Sequence, residues 1–264
     1  MADTPEFSIE PMGDAALRLQ FGRAATADSA GGTSSTSGTD LAGSPDTAYA
    51  VLFARAACER IRAAALPQVR DVLAAHTTVL VCYGPLRAGY EETAQAVAPL
   101  LQGLAPDEVQ GRLVTIPVAY GGDFGPDLSA LAEAKGLSEE EVVRRHAAAE
   151  YTVASIGFMP GFAYLDGLDP LLATPRLASP RTCVPAGSVG IAARQSGIYP
   201  LQSPGGWNLV GRTPVRVFDP RREPAVPYRP GDRIRFVPID GDEFDRISAA
   251  VAAGTFDYDG MVTA

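Results

Sequence analysis

An α+β fold in two parts is what this sequence predicts: a small N-terminal α/β sandwich over residues 1–107, then a strand- and turn-rich domain over residues 108–264. Three observations carry it. The first part reads as strand–strand–helix–strand–strand–helix. The second alternates short apolar runs with Gly- and Pro-rich turns. An apolar fraction of 46% in 264 residues is ample for the cores of two modest domains.

Phe7–Ile9 and Ala15–Phe21 predict two strands around Gly13-Asp14. In the second, Leu17, Leu19 and Phe21 alternate with Arg18 and Gln20, a half-buried pattern. Residues 24–47 are mostly Ala, Gly, Ser, Thr and Asp. Such a stretch buries too little apolar surface to offset its ordering entropy, and predicts a flexible low-complexity insertion. Tyr49–Leu66 predicts a helix with Val51, Ala54, Cys58, Ile61 and Ala65 on one face, ended by Pro67. Val69–Ala74 and Thr78–Tyr83 predict strands. Tyr90, Ala94, Val97, Leu101 and Leu104 mark a second one-sided helix, and the domain junction is expected near residues 105–110.

The second part opens with a strand, Leu113–Tyr120, whose Pro117 favours an edge or a strand end. Asp127–Lys135 predicts a short helix stopped by Gly136. Ser138 starts another, with Glu141 at the capping-box distance, three glutamates in its first turn, and Arg144, Arg145 and His146 towards its end. Tyr151–Phe158, Val189–Ala193, Val215–Phe218 and Arg233–Ile239 predict strands. Asp240 caps a final helix with Phe244, Ile247 and Val251 on its inner stripe, ended by Gly254.

Several chemistries are excluded. Lys+Arg is 22 against Asp+Glu 31, a net charge of −9, which argues against nucleic acid and anionic membranes as partners. Lys135 is the only lysine, so no catalytic or biotinyl-lysine lies elsewhere. There is no P-loop motif and no Gly-x-Ser-x-Gly elbow. Cys58, Cys82 and Cys183, with His76 and His146, show no metal-ligand spacing. Cys58 and Cys82 read as small core residues. With no signal-peptide segment and no apolar run approaching 18 residues, a cytoplasmic protein in a reducing compartment is expected. By itself the chain reads as an incomplete enzyme.

Residues 155–212 are unlike the rest. Gly and Pro recur every few residues, which makes a stiff, loop-rich surface of the kind that carries binding sites. Three blocks stand out: Ser155-Ile156-Gly157-Phe158-Met159-Pro160-Gly161-Phe162-Ala163-Tyr164-Leu165, then Pro180-Arg181-Thr182-Cys183-Val184-Pro185-Ala186-Gly187-Ser188, then Gln202-Ser203-Pro204-Gly205-Gly206-Trp207-Asn208-Leu209-Val210-Gly211-Arg212. They resemble the allophanate hydrolase subunit 1 / KipI family, over almost the whole chain except about residues 24–47.

The resemblance implies a cyclophilin-like β-barrel for residues 108–264. It implies the B-type component of an ATP-dependent 5-oxoprolinase, an enzyme that opens 5-oxo-L-proline to L-glutamate with ATP hydrolysis and Mg. The implied partners are an allophanate hydrolase subunit 2 (KipA-like) protein and a LamB/YcsF-type protein, the A-type component of 5-oxoprolinase. Two other readings stay open: a KipI-type inhibitor of a sensor histidine kinase, and the carboxyltransferase part of a biotin-dependent urea or amide carboxylase. Prolyl isomerisation follows from fold analogy alone.

The expected site lies in these blocks. Arg181 and Arg212 are suited to clamping a carboxylate or phosphate, or to ion pairs and carbonyl capping. Gly187, Ser188, Gly205 and Gly206 could present backbone N–H groups to an oxyanion, or simply form tight turns. Gln202 and Ser203 add hydrogen-bonding side chains. Tyr164 and Trp207, with Phe162, suit a pocket wall, a subunit interface or a core equally. His146 is added because the family motif carries His there; a helix-terminal contact is the alternative. Cys183 is not expected to be a nucleophile, since no base is close in sequence.

Overall fold

The computed structural model describes residues 7–22, 45–104 and 111–263. The chain divides into two compact units, Met1–Val109 and Gln110–Ala264. The expected junction near 105–110 lies outside the described residues, as do residues 24–44 of the expected insertion.

In the first unit, β1 (Phe7–Pro11), β2 (Ala16–Phe21), β3 (Val69–Ala75) and β4 (Thr78–Tyr83) form an antiparallel sheet in the order β1-β2-β4-β3. Two helices, α1 (Pro45–Ala63) and α2 (Tyr90–Val97), supply the second layer. Leu17, Leu19, Phe21, Val79 and Val81 alternate inward from β2 and β4 and meet Phe53, Ala54, Ala57, Cys58 and Ile61 of α1. α1 starts before the expected Tyr49, with Pro45 in its first turn, where a missing N–H costs nothing. It also ends early: Ala65 is exposed with φ 45 and takes no part in the apolar face. Cys58 is core, as expected, and burial raises its thiol pKa; Cys82 is only half-buried.

The second unit holds a closed barrel. Its strands are β5 (Leu113–Tyr120), β6 (Glu150–Ile156), β7 (Ala163–Asp166), β9 (Ser188–Ala192), β10 (Gln195–Ile198), β12 (Asn208–Arg212) and β13 (Arg233–Ile239). The ring runs β12-β9-β10-β7-β6-β13-β5 and closes because β12 also pairs with β5, Gly211 opposite Tyr120. β5 and β13 pair in parallel along their whole length. β8 (Arg181–Val184) and β11 (Ser203–Gly205) form a separate two-stranded ribbon, and β14 (Val262–Thr263) lies against the start of β5. The helices α3 (Leu128–Lys135), α4 (Glu139–Ala148) and α5 (Gly241–Ala253) complete an α+β fold.

β5 is thus a ring strand rather than an edge. Its second side is shared between β14 and β12, and Pro117 falls in the interval that neither pairs with. Val114, Ile116 and Val118 alternate into the main core with Val153, Leu165, Val189, Ile191, Ile234 and Phe236. Each such side chain contributes about 1.5–3 kcal/mol on burial. A bulge in β12 between Leu209 and Gly211 bends the strand where the ring closes. Val215–Phe218 is not a strand. Val215 and Val217 are buried, as their alternation suggests, but the closed ring leaves them no ladder partner.

The caps follow the local chemistry. The Ser138 and Asp240 side chains accept the N–H groups of Glu141 and Glu243, while Gly136 and Gly254 end helices in the left-handed conformation. The return halves of the capping boxes go elsewhere, since Glu141 and Glu243 pair with Arg144 and Arg246. Lys135 donates to the Ala173 carbonyl. No helix among the described residues is long and apolar enough to cross a membrane.

Candidate functional site

The loop after β5 sets the site. Gly121 N–H donates to Val210 O at 3.1 Å and Asp127 N–H to Leu209 O at 3.0 Å, so the loop lies along β12 at its bulge. Gly125 makes this approach feasible, because a Cβ there would sit 2.0 Å from Val210 O. The Asp127 carboxylate is then used twice. Oδ2 accepts Leu209 N–H at 2.6 Å and Oδ1 accepts Arg181 Nη2 at 2.5 Å. Asp127 precedes α3 but its side chain does not cap it.

A cavity of about 200 Å³ opens between this loop, the ribbon and the barrel. Arg181 and Arg212 both line it, with Ser188, Cys183 and an apolar wall of Phe124, Pro126, Pro185 and Leu209. The Arg212 guanidinium lies over Phe124 and Phe244, 5.2 and 5.5 Å from the ring centroids. It makes no ion pair among the described residues. Of four guanidinium nitrogens buried without a hydrogen-bond partner among the described residues, two belong to arginines that line this cavity, Arg181 Nη1 and Arg212 Nε. Two arginines lining one small cavity, neither fully satisfied by the chain itself, make it suited to an acceptor. The structure therefore brings together Arg181, Arg212 and Ser188 from the expected set.

It does not bring the rest. Gly187 has φ 82, and its N–H is spent on Tyr199 O at 2.7 Å; Ser188 N–H donates to Pro185 O at 3.3 Å. Neither amide is free to face an oxyanion, which corrects that expectation. Gly187 instead makes room: a Cβ would lie 2.3 Å from Thr213 O and 3.3 Å from Arg212 Cγ. Gly205 packs on the Tyr199 ring, and Gly206 accepts Leu177 N–H at 2.7 Å. Gln202 is exposed, Ser203 Oγ donates to Pro204 O, and neither lines the cavity. Trp207 and Tyr164 belong to a second core cluster with Phe162, Tyr199 and Leu209. Phe162 stands edge-on to Trp207 at 5.5 Å and to Tyr199 at 5.1 Å.

His146 is fully buried on α4, away from the cavity. Its Nδ1 lies 2.8 Å from Tyr120 Oη and its Nε2 2.9 Å from Ser196 Oγ, which in turn lies 3.4 Å from Gly190 O. One tautomer satisfies the whole chain: Tyr120 O–H donates to Nδ1, Nε2–H to Ser196, and Ser196 O–H to the carbonyl. The ring also stacks on Phe236 at 4.9 Å. Burial lowers its pKa to about 3, which keeps it neutral. Sequence reading missed Asp127 and Phe124. An acidic residue just before a helix reads as a cap, and nothing local reveals that its carboxylate serves two strands.

Comparison with known proteins places the chain in a family. The family described as carboxyltransferase domain, subdomain C and D, matches residues 7–228. The chain is 35% identical over 252 residues to the B-type 5-oxoprolinase subunit of Bacillus subtilis, covering 91% of this chain and 96% of that protein. It is 53% identical over 131 residues to the B-type 5-oxoprolinase subunit of Escherichia coli O157:H7, covering 50% and 60%. Among solved structures, that of TTHA0988 superposes with a TM-score of 0.66 at 40% identity over 75% of this chain. The chain spans only 39% of the length of that larger protein. With a family match across most of its length and an end-to-end relative, this chain belongs to the carboxyltransferase subdomain C and D family, alongside the proteins named as B-type subunits of 5-oxoprolinase.

Proposed function

We propose that this chain is the B-type subunit of an ATP-dependent 5-oxoprolinase, a hydrolase that opens 5-oxo-L-proline to L-glutamate and works only with its partner subunits. The observation that carries this is the end-to-end alignment with a protein named as that component of 5-oxoprolinase. A five-membered lactam is a poor electrophile. Transfer of phosphate from ATP to its amide oxygen activates the ring carbon: water adds there, the ring C–N bond breaks with the nitrogen leaving as the protonated amine, and hydrolysis of the resulting γ-glutamyl phosphate releases L-glutamate and phosphate, which is why such a reaction needs ATP. The site must hold the substrate carboxylate and stabilise the developing oxyanion. Arg181 and Arg212, which line one cavity, are suited to the first task.

This chain's described residues offer no preformed metal cage. They contain no group of three or more His, Cys, Asp or Glu side chains that could hold a metal ion, and the sequence has no P-loop. ATP and Mg would be held within the complex that this chain forms with the KipA-like and LamB/YcsF-type partners. Phe158 fits a partner-facing role. It is 67% exposed with φ 67, on a loop pinned by Tyr228 Oη to Gly161 O at 2.8 Å. A bulky non-glycine residue in the left-handed region is costly by itself.

The test is co-expression with the two partner subunits and measurement of glutamate released from 5-oxoproline. The expected result is release that needs ATP and disappears when this chain is omitted. Full activity without this chain, or lactam hydrolysis by this chain alone, overturns the assignment.

A further inference from the structure

We propose that the cavity between Arg181 and Arg212 is a site for one small carboxylic acid, with its carboxylate between the two guanidinium groups and its body against Phe124, Pro126, Pro185 and Leu209. The identity of the acid as 5-oxoproline rests on the function proposed above; the site itself does not. Three features select the ligand class. The first is charge: Arg181 and Arg212 are both cationic and both line the cavity, so an occupant that brings an anionic acceptor suits them best.

Second is size. About 200 Å³ lies below the roughly 300–1,000 Å³ of pockets that take drug-sized ligands. A nucleoside triphosphate, with base, ribose and three phosphates, does not fit, whereas a carboxylate on a five-membered ring does. The third is the balance of charge. Asp127 already holds Arg181 through Nη2, and Asp123 also lines the cavity. A single negative charge suits two arginines beside two aspartates better than a polyanion. The donors are also fixed in advance, Arg181 by Asp127 and Arg212 by the Phe124 and Phe244 rings, so little ordering is required on binding.

Cys183 provides a readout that does not depend on activity, since it is exposed and lines the same cavity. The experiment follows the rate of Cys183 alkylation by iodoacetamide, located by peptide mass spectrometry, in the full chain alone and in the co-purified complex. The probes are 5-oxo-L-proline, its carboxamide, cyclopentanecarboxylate, inorganic phosphate and ATP. The expected result is protection by 5-oxo-L-proline at concentrations at least tenfold below those needed with the carboxamide, and loss of that protection in Arg212→Met. The acid–carboxamide comparison needs no variant, so it decides the matter even if Arg212→Met does not fold.

Equal protection by acid and carboxamide, stronger protection by phosphate or ATP, or no protection by any carboxylate in either preparation overturns the proposal. Protection by cyclopentanecarboxylate but not by 5-oxo-L-proline supports the carboxylate site and removes the oxoprolinase assignment. A complex that turns over 5-oxo-L-proline with an unchanged KM in Arg212→Met does the reverse: it overturns this site and leaves the assignment standing.

Discussion

Asp127 and Arg181 form the hinge pin of the candidate site: Nη2 of the arginine meets Oδ1 of the aspartate at 2.5 Å, while Oδ2 of the same carboxylate accepts Leu209 N–H at 2.6 Å. One side chain thereby ties the ribbon strand β8 to the ring strand β12.

Asp127→Ala is therefore expected to lower stability by about 2–3 kcal/mol, because it leaves both a guanidinium and a buried N–H without an acceptor. Urea denaturation of the single variants and the double variant with Arg181→Ala checks this. A coupling energy of at least about 1 kcal/mol is expected. Additive effects would mean that Asp127 acts through Leu209 alone.

Gly187→Ala is expected to destabilise by about 2–4 kcal/mol. The backbone has φ 82, and the new Cβ would meet Thr213 O at 2.3 Å. Gly206→Ala serves as the contrast. Its nearest neighbour would lie at 3.6 Å and its φ is not in the left-handed region, so a change within about 0.5 kcal/mol is expected. Thermal melting of the two variants side by side separates a steric requirement from mere glycine content.

His146 makes the fold acid-sensitive. Its pKa is near 3 when folded, against an ordinary 6.5. The unfolded chain thus takes up a proton that the folded chain refuses. Stability is fully present above pH 6.5 and falls by about 1.4 kcal/mol per pH unit on the way down towards 3. Arginine-paired carboxylates such as Glu141 act with the same sign, but only below their ordinary range. Denaturation midpoints between pH 6.5 and 4.5 should therefore slope downwards in the native chain and flatten in His146→Gln. An unchanged slope in the variant contradicts this account.

Phe158→Gly is expected to leave the isolated chain within about 1 kcal/mol of its native stability, since relief of the left-handed backbone offsets the lost edge contact with Phe162 at 5.6 Å. Recovery of the partner subunits with this variant should fall. Undiminished recovery rules out Phe158 as an interface residue.

Local chemistry made much of the fold legible in advance. Ser138, Asp240, Gly136 and Gly254 mark helix ends through hydrogen bonds within a few residues, and Leu17, Leu19 and Phe21 reveal an inward face by alternation alone. What failed to show was everything that depends on distant partners. Val215–Phe218 alternates like a strand, yet has no ladder to join. His146 lies at the end of a polar helix, and only tertiary packing against Phe236 and Tyr151 shows it to be core. For the site, the two arginines were visible as residue types. Their convergence on one cavity required the bulged β12 and the glycine contacts at Gly125 and Gly187, which no spacing rule encodes.

The parallel pairing of β5 with β13 sets the order in which the molecule can be made. On a translating ribosome β5 emerges at the head of its unit, while the strand that covers one whole side of it comes near the end. The first unit's sheet uses only strands from its own stretch and is free to assemble during synthesis. The barrel must wait with β5 unpaired along that side, and its long-range closure makes it the slow step. Until β13 emerges, Val114, Ile116 and Val118 lack the Ile234 and Phe236 side chains that help to cover them in the folded core.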